Sequence, residues 1–261
     1  MTTRLLFSFA VLLGLASAQS FNVSSPLVES FTVSPGGEVQ GELVLTNTTD
    51  QPQALRLAQG DYQFVAGGTR FEAPGSMQRS NARWLTLSRL EVALPPKGRV
   101  TVPYTLRVPT GQLEGSFWSA IFVEPAQAEV VAAGGQVGVG VTQRLRYAVQ
   151  ILANIGDSGE PKLVFQNPRL LKDGKTRILQ VEVRNQGNRF VRPDGRVELY
   201  TEEGRLTRSV EADRVVILPE AVVLLRIVLG EAAPGRYQAA LILDDGGRFV
   251  FGARYRFTAG E

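Results

Sequence analysis

The chain has 261 residues, 44% of them hydrophobic, 20% charged and 8% aromatic, with 28 Lys and Arg against 25 Asp and Glu. It contains no His and no Cys, which excludes Ser-His-Asp and Cys-His nucleophiles, Cys/His zinc sites and thiol redox chemistry. A formal charge of +3 with interspersed signs gives no nucleic-acid footprint, and 27 Gly with 14 Pro suit short strands and tight turns.

The first element is an address. Arg4 precedes an almost wholly apolar run over residues 5–15, and Ala16-Ser17-Ala18 follows as an A-x-A cleavage site. Residues 1–18 are therefore expected to be a signal peptide, with Gln19 the mature N-terminus. The run is short for a membrane span, and no later stretch reaches about 18 uninterrupted apolar residues. An exported chain is expected, in the periplasm or at the cell surface, with no disulfide and hence stabilised by core burial.

Strand-like alternation then dominates. Residues 42–46 and 100–108 favour β-branched and apolar side chains, and Pro35-Gly36-Gly37 and Ala66-Gly67-Gly68 mark turns between such runs. Trp84 opens a Trp-Leu-Thr-Leu alternation and reads as core. Tyr62, Phe64 and Phe71 flank the 66–68 turn on a hairpin. Residues 115–124 are apolar on both faces: Phe117, Ser119, Ile121 and Val123 on one, Trp118, Ala120 and Phe122 on the other. A sandwich strand covers one face, so the Trp118/Phe122 face is either roofed by the loop over residues 67–83 or exposed as a binding patch. After Gly134-Gly135 a further alternation places Val137, Val139, Val141, Leu145, Tyr147, Val149 and Ile151 on one face, with Arg144 and Arg146 on the other.

Residues 153–161, Ala-Asn-Ile-Gly-Asp-Ser-Gly-Glu-Pro, read as a linker. Beyond it the pattern is written again. Residues 178–184 and 197–200 alternate, and turns fall at residues 172–175, 193–195, 202–204 and 244–247. Leu218-Pro219, a strand, and the run over 234–244 repeat the order of Leu94-Pro95, a strand, and the run over 114–124. Likewise the stretch ending in Asn47 matches the one ending in Asn185. In this repeat Trp118 and Phe122 stand where the second half has Gln238 and Ile242. The reading is all-β: two tandem immunoglobulin-like β-sandwiches after a cleaved signal peptide, over residues 19–152 and 162–261.

Pro35-Gly36-Gly37, the stretch 45–52, Trp84-Leu85-Thr86-Leu87, Leu94-Pro95-Pro96-Lys97-Gly98, Tyr104 to Pro109 and Gly115 to Phe122 together resemble the exported tandem immunoglobulin-like proteins that include the periplasmic pilus-assembly chaperones. The WxL-interacting cell-wall proteins share much of this N-terminal pattern. The resemblance implies that the last strand of the first unit, with its alternating apolar residues, pairs as an added strand with an incomplete pilin subunit. It also implies two basic residues that grip the subunit's terminal carboxylate, one in the first strand and one in the last. Arg146 stands for the second, or else Arg144; the first-strand candidate, residues 21–31, carries neither Arg nor Lys.

The functional expectation is a non-enzymatic exported protein that binds another exported polypeptide by edge-strand pairing. Its contact residues are expected to be Val137, Val139, Val141, Arg144 and Arg146, with Trp118 and Phe122 as a second contact and the interdomain cleft beside Arg146. The alternative is a cell-surface or peptidoglycan-binding module resembling the WxL-interacting proteins. No cofactor, metal or nucleic-acid partner is expected, and no transmembrane segment after signal cleavage.

Overall fold

The computed structural model describes residues 20–65, 68–126 and 145–259. Among these the chain is all-β apart from one short 3-10 turn, Ala82–Trp84, and it forms two immunoglobulin-like sandwiches in tandem. In the first, one sheet orders β1 (Phe21–Val23), β3 (Glu38–Asn47), β8 (Arg99–Arg107) and β6 (Leu85–Leu87). The facing sheet orders β2 (Val28–Val33), β10 (Tyr147–Ile155), β9 (Ser116–Pro125), β4 (Gln53–Val65) and β5 (Gly68–Glu72), with β7 (Glu91–Leu94) beside the start of β4. Alternation decides what meets between the sheets: Leu43, Leu45, Val102 and Leu106 pack against Leu55, Leu57, Ile121, Val123, Val149 and Ile151 in one core.

β1 and β2 are two halves of one edge that changes sheets. β1 pairs antiparallel with β3, the chain turns at Pro26, and β2 then runs parallel to β10, with Val28 opposite Gln150. Glu29 on β2 ties the sheets together, its carboxylate accepting a 2.8 Å hydrogen bond from the Tyr104 hydroxyl of β8. β10 reaches Ile155, so three residues expected in the linker belong to a strand paired on both sides.

The second sandwich packs β11 (Leu163–Asp173), β12 (Thr176–Asn185) and β15 (Val222–Glu231) against β14 (Leu206–Ala212), β13 (Asp194–Thr201), β16 (Gly235–Asp244) and β17 (Val250–Ala259). Its core draws Leu179, Val181, Val183 and Ile227 from one sheet and Val197, Ala239, Leu241 and Leu243 from the other.

The repeat read from the sequence has a structural counterpart in two buried asparagines. The Asn47 amide donates to the carbonyls of Gln51, Leu94 and Pro95, while its oxygen accepts from the Thr49 N–H. Asn185 donates to the carbonyls of Arg189 and Ile217 and accepts from the Lys162 and Gly187 N–H groups. Each side chain closes the turn after its strand, and Asn47 reaches Leu94-Pro95 while Asn185 reaches Ile217, just before Leu218-Pro219, satisfying backbone groups that burial would otherwise leave unpaired.

Candidate functional site

β10 lies inside its sheet for most of its length. From Gln150 to Ile155 it is bonded to β2 on one side and from Tyr147 to Asn154 to β9 on the other. The β2 ladder begins at Val28, and the Gln150 N–H donates to the Leu27 carbonyl. Backbone groups two residues apart on an antiparallel strand point the same way. The N–H and C=O of Ala148 therefore face the same side as those of Gln150, where no described strand pairs with them. Among the described residues, the margin is paired from Gln150 onward and unpaired at Ala148. Val137, Val139, Val141 and Arg144 lie outside the described residues.

Arg146 is exposed, but its guanidinium turns towards β9. Its Nε and Nη2 donate to Glu124 Oε2 at 3.0 and 2.8 Å, and it lies 5.2 Å from the Phe122 ring centroid. It is not among the residues that line the interdomain cleft; Gln150, four residues further along the chain, stands there instead.

Trp118 and Phe122 are corrected from surface to core. They are 6 and 7% exposed, so of the two readings of this face the roofed one holds for Trp118 and Phe122 themselves. Three structures make the roof. Phe71 of β5 meets the Phe122 ring edge-on at 5.0 Å, and the Phe122 ring lies against Gly60, where a Cβ would strike it. The loop over residues 73–81 crosses Trp118, whose backbone N–H donates to the Arg79 carbonyl and whose Nε1 donates to the Tyr62 carbonyl at 3.0 Å. That loop is pinned by Asp61, a buried carboxylate that accepts from the Met77 N–H and the Ser80 hydroxyl. The third cover is the second sandwich, which contributes Phe190, Val216, Leu218 and Ala221 to the same cluster. Trp84, expected in a strand, sits half-buried in the 3-10 turn, packed on Phe117 at 4.7 Å.

The two sandwiches are joined by hydrogen bonds across their junction. The Ser116 N–H donates to the Asn188 carbonyl, and the Ser116 hydroxyl accepts from the Phe190 N–H. Arg189 reaches back to the carbonyls of Gly156 and Ser158; burial lowers its pKa from the usual arginine value. Gly115, at φ +77°, lies against the Asn188 carbonyl, where a Cβ would strike it.

Beside this joint the sandwiches leave a cleft of about 890 Å³. The first contributes Val28, Phe64, Val65 and Gln150, whose side-chain oxygen accepts from the Tyr62 hydroxyl at 2.9 Å. The second contributes Val222 and Leu224 of β15, with Arg192 and Arg214 and the carboxylates of Glu182 and Glu220. Val65, Val222 and Leu224 are 42, 44 and 49% exposed, which leaves apolar surface open to solvent on both walls. Sequence reasoning missed this wall. Its signal was the run Val222-Val223-Leu224-Leu225, apolar on both faces like the run around Trp118.

No protein-family model and no curated protein matches the sequence. Among solved structures, the chain is similar to the class 5 fimbriae chaperone CfaA (TM-score 0.45, 11% identity, covering 90% of this chain and 98% of that one). It is similar also to a chain of a chaperone–tip adhesin complex described as vital for activation of CFA/I fimbriae biogenesis (TM-score 0.46, 11% identity, 91% and 98% covered). The CupB2 chaperone of Pseudomonas aeruginosa is a further match (TM-score 0.39, 13% identity, 88% and 97% covered). No helix among the described residues is long and apolar enough to cross a membrane.

Proposed function

We propose that this chain is an exported, non-enzymatic binding protein that takes up another exported polypeptide by strand addition along the margin of β10, in the manner of the pilus-assembly chaperones. The observation that carries the reading is the point where the β2 ladder stops. Ala148 directs a backbone donor and acceptor to a side no described strand occupies, next to a cleft with apolar walls. A strand laid there gains main-chain hydrogen bonds from the margin and specificity from alternate side chains. Residues 137–146 continue the same alternation towards the chain's N-terminus and are proposed as the rest of the contact, with Arg146 at its end. The cleft carries charges of both signs, Arg192 and Arg214 with Glu182 and Glu220, and Arg214 already meets Asp194 at 3.1 Å, so its apolar walls favour an apolar partner segment.

The test is Ala148→Pro, which removes the margin's N–H without touching the β9 ladder. The wild-type chain is expected to co-purify with an exported polypeptide in about equal amounts, with slowed hydrogen exchange at Ala148 in the complex. The variant should fold and lose the partner. A folded Ala148→Pro chain that retains the partner in full would overturn the proposal.

A further inference from the structure

The outer face of the sheet formed by β14, β13, β16 and β17 lies away from the cleft and takes no part in the proposed strand addition. Alternation and register put Tyr200, Gln238 and Arg256 in one row across it and Glu198, Ala240 and Arg254 in the next. Two depressions, of about 560 and 460 Å³, meet at Gln238 and form one trough across the strands. Ala240 and Gly252 keep the floor of the first low.

Charge on this face is unevenly compensated. Glu198 is already engaged by Arg196 at 2.9 Å and by the Tyr200 hydroxyl at 2.6 Å, and Glu202 meets Arg236 at 3.2 Å. Arg254 and Arg256 are exposed and make no ion pair among the described residues. They stand two residues apart on one strand, roughly 6.5–7 Å along it, with their side chains on the same face.

We propose that this trough binds an acidic polysaccharide, its carboxylates held by Arg254 and Arg256 and its hydroxyls by the Gln238 amide. A guanidinium matches a carboxylate with two parallel hydrogen bonds. Two depressions side by side suit successive units of a linear chain. The large exposed apolar side chains of this face, Leu206 and Val250, line neither depression, so a docked polypeptide would find no exposed apolar anchor between the arginines and Gln238. The plain role of arginines on an edge strand, keeping β17 from pairing with other chains, does not require the trough or Gln238.

The test is affinity electrophoresis of the full chain through gels carrying polygalacturonate, with dextran as the neutral comparison. Polygalacturonate should retard the wild-type chain and dextran should not. The double variant Arg254→Ala/Arg256→Ala should weaken binding about tenfold or more, and Gln238→Ala by a smaller factor. Arg89→Ala/Arg99→Ala, which removes two exposed arginines of the first sandwich, should bind as the wild type does. Equal loss in that control, unaltered binding in the double variant, or retardation by dextran would each overturn the site. Binding to phosphatidylglycerol vesicles that the double variant loses in the same measure would overturn it in favour of a lipid surface.

Discussion

At the scale of single residues, the side chain with the clearest measurable consequence is Glu29. Burial raises its pKa above the ordinary carboxylate value, more than the hydrogen bond from Tyr104 lowers it. The folded state therefore holds this proton to higher pH than the unfolded chain. The stabilising contribution is present below the unfolded pKa and is lost as pH rises through the folded one. Glu29→Gln keeps an acceptor for the Tyr104 hydroxyl and removes the charge. Its melting temperature should exceed that of the wild type at neutral pH, and the gain should vanish under acid conditions where Glu29 is protonated; a gain that persists unchanged at acid pH would refute the assignment. Asn47 and Asn185 were found by their place in the repeat, but their role was not readable. An asparagine at the end of a strand reads as turn chemistry, and only the approach of the Leu-Pro segment shows that each closes two pieces of backbone at once.

At the scale of elements, alternation gave the strands and the inward faces, including Ile121 and Val123 in the first core and Leu241 and Leu243 in the second. It also showed that residues 115–124 are apolar on both faces. It did not show what covers the second face, because the cover comes from a loop pinned by Asp61 and from the other sandwich, contacts set by docking rather than by period. Trp118 is therefore a stability residue. Trp118→Gln should cost about 3–5 kcal/mol through lost burial and packing, seen as a lower urea midpoint, while the molecules that remain folded keep partner affinity. The β10 margin was readable as an alternation but not in its extent. Parallel pairing with β2 is decided by where the chain changes sheets at Pro26, and that pairing shortens the described part of the margin to the residues before Gln150.

At the scale of the whole molecule, the joint fixes the cleft. Gly115 combines a left-handed backbone with close approach to the Asn188 carbonyl, so a methyl group there is strained twice over. Gly115→Ala should lower the melting temperature and enlarge the radius of gyration measured by small-angle scattering, as the sandwiches part. An unchanged radius would mean that the joint absorbs the methyl group locally. The parallel seam between β2 and β10 has a different consequence, in time rather than space. It joins the beginning of the first sandwich to its end, so while the polypeptide is being synthesised β2 waits for a neighbour that emerges last. Contacts so distant along the chain form slowly because their loop entropy is spent first. Until that seam forms, a nascent molecule shows a far longer bare edge than the finished one, and crowding with its own kind is most hazardous in that interval.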